Sequence, residues 1–275
     1  MFVNGVRFIP FARFSPYENM AIDEYLLNYY NTSEQPVLRL YSWNPTGISV
    51  GKNQDIKTVN TAACSEDRIP VVRRLTGGGA IFHKNELTYC LVCSEKDISA
   101  EKLSIKESFE KLNGFLIKMY EKSGLNSAFA RDASGSGRFG ERSSYCFSGS
   151  EEYDITIDGK KIGGNAQCRK KDIIFQHGSI PLERTGNAGR YIKGPIKEES
   201  FTVLNEVMGR EVSPEEIGSN LVAAFTEVFE TDLFEAPLEF AEKNEIVKIM
   251  TGKYAQNRWN IDGKTDSDKK CCQGE

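Results

Sequence analysis

Apolar residues recur along the chain with two different periods, and each period predicts a different kind of element. Over residues 19–30 they return at helical spacing, whereas residues 35–43 and 46–51 alternate apolar and polar positions, as half-buried strands do. Helical spacing returns over residues 103–120 and stops before Gly124, a residue typical of helix C-termini. The first half of the chain therefore predicts both helices and strands.

The second half changes from strand-like to helical patterning near residue 200. Residues 151–182 alternate around Asp158-Gly159, a dipeptide favoured in two-residue hairpin turns, so we expect successive antiparallel strands in one meander. Ser213 is the expected N-cap of a later helix, with Glu216 completing a capping box. Residues 238–254 predict a further helix.

These elements together predict the α+β class, with a mixed, largely antiparallel sheet and helices packed on it. We expect a single domain over residues 1–262, helical from about residue 200 onward, followed by a disordered tail over residues 263–275.

Composition narrows the classes of function. A chain of 275 residues with 39% apolar content can bury a sizeable core. The formal net charge of -4 argues against non-specific nucleic-acid binding, which needs a surplus of clustered basic residues. No apolar run is long enough to span a bilayer, and the N-terminal residues lack the pattern of a signal peptide, so we expect a cytoplasmic protein with no membrane partner.

The cysteines indicate thiols and not a disulfide framework. Seven is an odd number, and they are spread thinly over a long chain, which is typical of a reducing compartment. Cys90 and Cys93 form a C-x-x-C, but in a strand they would point to opposite faces, and no further ligands lie nearby in the sequence. We therefore expect core cysteines there, and neither a metal nor a cofactor.

A stretch of three successive glycines, Gly77, Gly78 and Gly79, follows two arginines and precedes His83. Glycines without Cβ atoms let backbone N–H groups approach a ligand closely, and Arg73 and Arg74 can bind a phosphate or a polarised carbonyl. The spacing fits neither the P-loop nor the dinucleotide-binding fingerprint. From the residues alone, a ligand-binding loop and a glycine corner flanked by solvated arginines remain equally open.

A further segment, residues 132–144, is rich in Gly, Ser and charged residues and shows no periodicity. We expect it to be a mobile loop that becomes ordered over a bound ligand.

The glycine motif carries a family resemblance. RRLTGGGAIFH, residues 73–83, resembles the R-R-x-T-G-G-G-x-x-x-H signature of the lipoate-protein ligase and octanoyltransferase superfamily. NMAIDEYLL, GKKIGGNAQ and FQHGSI occur in the order of the family, and the similarity covers about residues 5 to 260. The resemblance implies a biotin/lipoate protein ligase-like catalytic domain with a narrow apolar tunnel for a medium-length acyl chain. Lys84 departs from the pattern, because many ligases carry Asp after the histidine.

The resemblance also implies which residues act. Lys161 matches the functional lysine of the family, whereas Lys160 does not, although by themselves both are compatible with solvated turn lysines. The residues implied to contact substrate are Arg73, Gly77, Gly78, Gly79, His83, Gly164, Asn165, Ala166, His177 and Gly178. His83 and His177 are equally compatible with satisfied core histidines.

Cys146 decides the branch of the family. Its segment resembles that of the cysteine-dependent LipM-type octanoyltransferases, which carry the acyl group on a thiol. A nearby Lys161 ammonium would favour the reactive thiolate, and the same lysine, if desolvated, could give up its proton and later return it. A structural Cys146 is the alternative, and Cys168 is a lower-ranked rival nucleophile.

The resemblance therefore implies an octanoyltransferase of lipoate biosynthesis. It would move an octanoyl group from acyl carrier protein through a Cys146 thioester to a lysine of a lipoyl-accepting domain, such as the glycine cleavage H protein or an oxo-acid dehydrogenase subunit. The alternatives are an ATP-dependent lipoate-protein ligase, an amidotransferase that uses an octanoylated carrier, and a non-catalytic protein that binds lipoyl carriers. Against the ligase, we expect no room after residue 260 for the additional C-terminal domain of many ligases. We expect a monomer.

Overall fold

A computed structural model of the chain describes residue 2 and residues 5–133, 145–146 and 151–263. The described strands are β1 (Val6–Phe14), β2 (Val37–Trp43), β3 (Gly47–Val50), β4 (Val71–Arg73), β5 (Ile81–His83), β6 (Glu86–Ser94), β7 (Ser127–Phe129), β8 (Ile155–Ile157), β9 (Lys160–Ile162), β10 (Gly164–Lys170), β11 (Ile173–Pro181), β12 (Phe201–Thr202) and β13 (Leu233–Glu235). The described α-helices are α1 (Pro16–Ser33), α2 (Thr61–Glu66), α3 (Glu95–Ile98), α4 (Ile105–Lys122), α5 (Ala188–Tyr191), α6 (Leu204–Met208), α7 (Pro214–Phe229), α8 (Phe240–Ile249) and α9 (Asn257–Asn260).

The strands form three sheets, and the mixed, largely antiparallel arrangement expected from the sequence is confirmed. The largest sheet has six strands in the order β10-β11-β6-β2-β1-β13, and the others have the orders β12-β9-β8-β7 and β4-β3-β5. Antiparallel pairs outnumber parallel ones among the described strands. The helices α4 and α7 pack together, and α1 packs against α8.

β6 and β2, the two strands at the centre of the large sheet, are buried on both faces, because an apolar cluster covers each face. Leu38 and Cys93 belong to the cluster that includes α4 and α7, whereas Val37 and Cys90 belong to the cluster that includes α1. Both cysteines of the C-x-x-C are fully buried, and they face opposite sides of the sheet. The prediction of core cysteines is confirmed, and the described residues hold no group of three or more His, Cys, Asp or Glu that could bind a metal.

The long helices begin at the positions that their caps dictate. The Ser15 side chain accepts a hydrogen bond from the Glu18 N–H at the start of α1, and Ser104 does the same for Glu107 at the start of α4. Ser213 is the N-cap of α7 as expected, but the Glu216 carboxylate binds Arg210 instead of the N-cap backbone. The predicted capping box is therefore only half formed.

The predicted meander is wrong at Gly163. Asp158 and Gly159 both have positive φ and connect β8 and β9 in a tight antiparallel hairpin, as expected. After Gly163, however, the chain leaves this small sheet, and β10 joins the edge of the six-stranded sheet instead. Gly163 has φ +83°, and a Cβ there would lie 2.5 Å from the Ser179 carbonyl oxygen, so the change of sheet requires glycine.

Two predictions fall largely or wholly outside the described residues. Most of the expected mobile loop at residues 132–144 and nearly all of the tail at residues 263–275 belong to the segments that the structure does not describe. Within the described ranges, no helix combines the length and apolar character needed to cross a membrane.

Candidate active site

The glycine loop connects β4 to β5 across the end of β3, which lies between them in the small three-stranded sheet. The backbones of the loop and of β3 touch where β3 ends: a Cβ on Gly51 would lie 2.1 Å from the Gly78 carbonyl oxygen. Gly78 itself has φ +95°, a conformation that residues with side chains rarely adopt. The loop geometry thus depends on glycine at two contacting positions.

Arg74 clamps this loop from inside the protein. Its Nη2 donates hydrogen bonds to the carbonyl oxygens of Gly77 (2.7 Å) and Gly79 (2.8 Å), and its Nη1 donates to Ser49 Oγ (3.2 Å). The side chain is buried, and no carboxylate of the described residues forms an ion pair with it. Burial lowers the pKa of Arg74, and the nearby Cys146 thiol partly offsets that effect. Within the described ranges, Arg74 is therefore a buried cation with no carboxylate counter-ion.

Arg73, which was expected to contact substrate, points elsewhere. Its guanidinium donates hydrogen bonds to the carbonyl oxygens of Gly51 (2.9 Å), Gln54 (2.8 Å) and Trp259 (3.1 Å). These contacts tie the C-terminal helix α9 to the segment after β3. β4 ends at Arg73, and the next side chain, that of Arg74, is the one that contacts the glycine loop.

A cavity of about 500 Å³ lies beside the glycine loop, within the size range of small-molecule sites. Its walls combine apolar side chains such as Met20, Ile81 and Phe109 with polar and charged side chains such as Thr88 and Glu151. The predicted site residues that line it are Gly77, Gly78, His83, Cys146, Gly164, Asn165, Ala166, His177 and Gly178. Arg73, Gly79 and Lys161 are not part of this lining, whereas Arg74 is.

Gly77 offers the cleanest test of whether the loop faces a ligand. A Cβ at Gly77 would meet no atom within 4 Å, so a Val side chain there would enter open space beside the cavity. We expect Gly77→Val to slow acylation by an octanoyl donor at least tenfold, while the free energy of unfolding changes by no more than about 0.5 kcal/mol. Urea unfolding and acylation kinetics of the same preparation measure both quantities.

Gly78→Ala is the matched comparison, because this substitution should destabilise the conformation of the glycine loop. Gly78 has a positive φ, and an alanine Cβ there would lie 2.9 Å from Arg74 Nη2. We expect these two effects to lower the free energy of unfolding by about 1 to 2 kcal/mol. Equal acylation rates in Gly77→Val and wild type would show that the loop does not face the acyl chain.

Cys146 lies beside Ala80, the residue that follows the three glycines. Tyr145 forms an isolated parallel bridge with Ala80, and the Cys146 N–H donates to the Ala80 carbonyl oxygen (3.0 Å). The thiol-bearing residue is partly exposed and lines the cavity. Cys146 is thereby held next to the end of the glycine loop.

Lys161 approaches Cys146 from the small sheet. Its Nζ donates to the Cys146 carbonyl oxygen (3.3 Å) and forms an ion pair with Asp154 Oδ2 (2.7 Å). Burial lowers the pKa of Lys161, but Asp154 and Cys146 raise it by more, so the pKa lies above its ordinary value. This direction favours the ammonium form of Lys161, the role expected to stabilise the thiolate, over the expected release of its proton.

Cys168, the rival nucleophile, is poorly placed for this chemistry. It lies on β10 and packs against the apolar cluster that includes α1, and it is not among the residues that line the cavity. Burial raises the pKa of its thiol to about 11, so the reactive thiolate is scarce at neutral pH.

Both histidines are buried and hydrogen-bonded, as core histidines are, and both also line the cavity. The His83 ring stacks on Trp43, with Nδ1 2.8 Å from Glu86 Oε1 and Nε2 2.7 Å from Ser49 Oγ. Burial raises the pKa of the Glu86 carboxyl, but His83 and hydrogen bonds from Ser179 and Thr88 outweigh burial and lower it.

His177 connects the glycine motif to a buried ion pair. Its Nε2 lies 2.7 Å from Thr76 Oγ1 and its Nδ1 lies 3.4 Å from Asp23 Oδ2, which belongs to the carboxylate that pairs with Arg39. Burial lowers the pKa of His177, so the neutral ring predominates at pH 7.

Several site residues were not found by sequence reasoning. Arg74 was considered together with Arg73 as a ligand for a phosphate or carbonyl but was not among the residues implied to contact substrate, and Ser49, Thr76, Glu86 and Asp154 were not singled out. Glu86 and Asp154 each lie next to an apolar, strand-like segment. Because acidic side chains are rarely buried without a partner, an acid in that position could have indicated a buried carboxylate with a partner.

Comparisons with known proteins establish the family of the chain. The family model of the lipoyl protein ligase A/B catalytic domain matches residues 15–226, so the chain belongs to that family. Among curated proteins, the chain is similar to octanoyltransferase LipM of Moorella thermoacetica, with 35% identity over 89% of this chain and 93% of the relative. Octanoyltransferase LipM of Bacillus subtilis is 31% identical over 92% of this chain and 97% of the relative. The expectation of an octanoyltransferase, an acyltransferase of lipoate biosynthesis, is confirmed by these matches.

Solved structures establish the fold independently. The chain resembles lipoate-protein ligase A bound with ATP, with a TM-score of 0.78 at 20% identity over 94% of this chain and 98% of the other. It also resembles a bipartite lipoate protein ligase from Thermoplasma acidophilum, with a TM-score of 0.74 at 20% identity over 94% and 96% of the two chains. The ligase-like catalytic fold predicted from the sequence is confirmed.

Proposed function

We propose that this octanoyltransferase works by two acyl transfers through a thioester on Cys146. The donor is octanoyl-acyl carrier protein, and the acceptor is a lysine of a lipoyl-accepting domain, such as the glycine cleavage H protein or an oxo-acid dehydrogenase subunit. The observation that carries the proposal is the position of Cys146, which lines a largely apolar cavity, accepts a hydrogen bond from Lys161 at its backbone carbonyl, and is near enough to the buried Arg74 to interact with it electrostatically.

In the first transfer, the Cys146 thiolate attacks the carbonyl carbon of the donor thioester. A new C–S bond forms to Cys146, the C–S bond to the carrier breaks, and the carrier thiolate takes a proton from water. A thiolate is the nucleophilic form of cysteine, and nearby cations favour it. Lys161 and Arg74 supply that charge, which supports Cys146 over Cys168 as nucleophile.

In the second transfer, the acceptor amine attacks the Cys146 thioester. The C–N bond forms, the C–S bond breaks, and the nitrogen releases a proton to water, while the cations again stabilise the departing thiolate. Dividing the reaction in this way is covalent catalysis.

The oxyanion of each tetrahedral intermediate needs a hydrogen-bond donor. The C=O and N–H groups of a trans peptide point in opposite directions, and Arg74 binds the Gly77 carbonyl. The Gly78 N–H therefore points away from the guanidinium, and we propose it as a donor to the oxyanion.

The cavity also supports the substrate contacts inferred from the family. Gly164, Asn165 and Ala166 on β10 and Gly178 on β11 form one part of its lining. A Cβ on Gly178 would lie 2.1 Å from Asn165 Oδ1, and Asn165 Oδ1 in turn accepts from Tyr89 Oη (2.8 Å). We propose that this fixed wall contacts the acyl chain and that the enzyme acts in the bacterial cytoplasm, where its unpaired thiols stay reduced.

The test is intact mass spectrometry after mixing the protein with octanoyl-acyl carrier protein, followed by a chase with a lipoyl-accepting domain. We expect one octanoyl group on Cys146 and its transfer to the acceptor during the chase. Modification of the acceptor only with ATP and free lipoate would assign the chain to the ATP-dependent ligases. An octanoylated H protein that serves as donor to a second acceptor would indicate the amidotransferase reaction, and an absence of any transfer would favour a binding protein.

A further inference from the structure

Asp154 immediately precedes β8 and joins Lys161 to the segment that follows Cys146. Its Oδ2 accepts hydrogen bonds from Lys161 Nζ (2.7 Å) and from the Glu151 backbone N–H (2.8 Å). Its own carbonyl oxygen accepts from the Ala130 N–H (2.8 Å), which fixes the backbone at this point. The Asp154 and Lys161 side chains are each 9% exposed, so water competes little with their interaction.

The described neighbours of Lys161 show which groups act on its charge. Thr156 on β8 and Phe201 on β12 are its neighbours in the sheet register, and both are uncharged. Among the described residues, the ionisable groups that act most strongly on Lys161 are Asp154, Cys146 and Glu151. Asp154 is the only one of these three that contacts the ammonium with its carboxylate at hydrogen-bond distance.

Burial and Asp154 act on Lys161 in opposite directions. Burial by itself favours the neutral amine and lowers the pKa of Lys161, whereas the Asp154 carboxylate favours the ammonium and outweighs burial. Among the described residues, the carboxyl and thiol groups that would still oppose burial in a Lys161 without this partner include Cys146 and Glu151.

We propose that Asp154 is a positioning residue that holds Lys161 as a permanent ammonium ion beside Cys146 through both acyl transfers. The inference rests on the proposed function, because it concerns the charge that stabilises the same thiolate. Lys161 then acts by its charge alone. The protons gained by the carrier thiolate and lost by the acceptor amine are exchanged with water, and none is carried by Lys161.

The test compares three full-length variants with wild type. Asp154→Asn removes the charge with almost no change in shape, and Asp154→Glu restores a carboxylate. Asp158→Asn is the matched control, because it makes the same substitution in the exposed turn of the same hairpin, at a positive-φ position that Asn tolerates. Two quantities are followed against pH: the NMR signal of the Lys161 ε-carbon, and the rate of Cys146 acylation by octanoyl-acyl carrier protein.

We expect the pKa of Lys161 to fall by roughly 1 to 3 units in Asp154→Asn. The acylation rate of that variant should then decline at alkaline pH, with the new midpoint at the lowered pKa of Lys161. Wild type and Asp158→Asn should show no such decline below about pH 10, because their ammonium persists. Asp154→Glu should restore most of the wild-type profile. A second substitution, Lys161→Arg in the Asp154→Asn background, should remove the decline, because a guanidinium stays charged throughout this range.

An unchanged pKa of Lys161 in Asp154→Asn would overturn the inference. An acylation rate that is lower in Asp154→Asn but depends on pH as in wild type would also overturn it, because that result indicates a merely structural role of Asp154. If Asp154→Asn does not fold, the wild-type titration alone decides, because a Lys161 pKa below the ordinary value of about 10.4 contradicts a permanent ammonium. Failure of the proposed function gives a different result, namely no octanoyl adduct on Cys146 in wild type.

Discussion

Cys146→Ser is expected to abolish formation of the octanoyl-enzyme and all transfer to the acceptor. The serine hydroxyl ionises far less readily than a thiol, whose ordinary pKa is about 8.5, and neither Lys161, held as an ammonium, nor Arg74 can act as the base that a serine nucleophile requires. Intact mass spectrometry after incubation with octanoyl-acyl carrier protein measures the adduct, and a chase with a lipoyl-accepting domain measures transfer.

Cys168→Ser is the matched control for this prediction. It makes the same change in a partly exposed cysteine that lies outside the cavity lining and whose thiol has a raised pKa of about 11. We expect this variant to form the adduct and to transfer it at the wild-type rate. Octanoyl groups that appear on Cys168 in wild type, or at the wild-type rate in Cys146→Ser, would contradict the assignment of the nucleophile.

Lys161→Met is expected to reduce both acyl transfers by about 10²- to 10³-fold, because it removes a fixed charge from beside the reacting thiol. The substitution should also destabilise the protein by about 3 kcal/mol, since it leaves the buried Asp154 carboxylate without its partner. Single-turnover acylation and urea unfolding measure the two effects. The sequence alone left a solvated turn lysine open, and the buried ion pair is the reason to expect a loss of stability.

The double variant Lys161→Met/Asp154→Asn separates these two effects. It removes both charges of the pair, so stability should return most of the way to wild type while the acyl transfers stay slow. Lys160→Met is the adjacent control, because Lys160 is exposed and points to the other face of β9, and it should retain activity and stability. Recovery of activity together with stability in the double variant would make Lys161 a purely structural residue.

Local chemistry was sufficient to determine many elements of the fold. Helical periodicity places α1 and α4 within a few residues of their observed bounds, and the Asp158-Gly159 pair places the hairpin between β8 and β9. The opposite orientation of Cys90 and Cys93 follows from the period of a strand. These features depend on interactions between residues that are close in sequence, and they can therefore be predicted from the amino-acid pattern. The glycine motif and its companion segments also identified the family, because a ligand-binding loop uses contiguous backbone.

Only the tertiary structure decided which groups meet around Cys146. Two adjacent arginines are equivalent in composition, and the packing of α9 against Arg73 leaves Arg74 to clamp the loop. The alternation of apolar and polar residues continues through Gly163 in the sequence. In the structure, Gly163 lies against the Ser179 backbone, and the strands before and after it, β9 and β10, belong to different sheets. The charge of Lys161 depends on Asp154, seven positions away across a hairpin turn and invisible to periodicity. Burial and ion pairing set the ionisation of a group through its neighbours in space, so the chemistry of this thiol is a property of the folded chain.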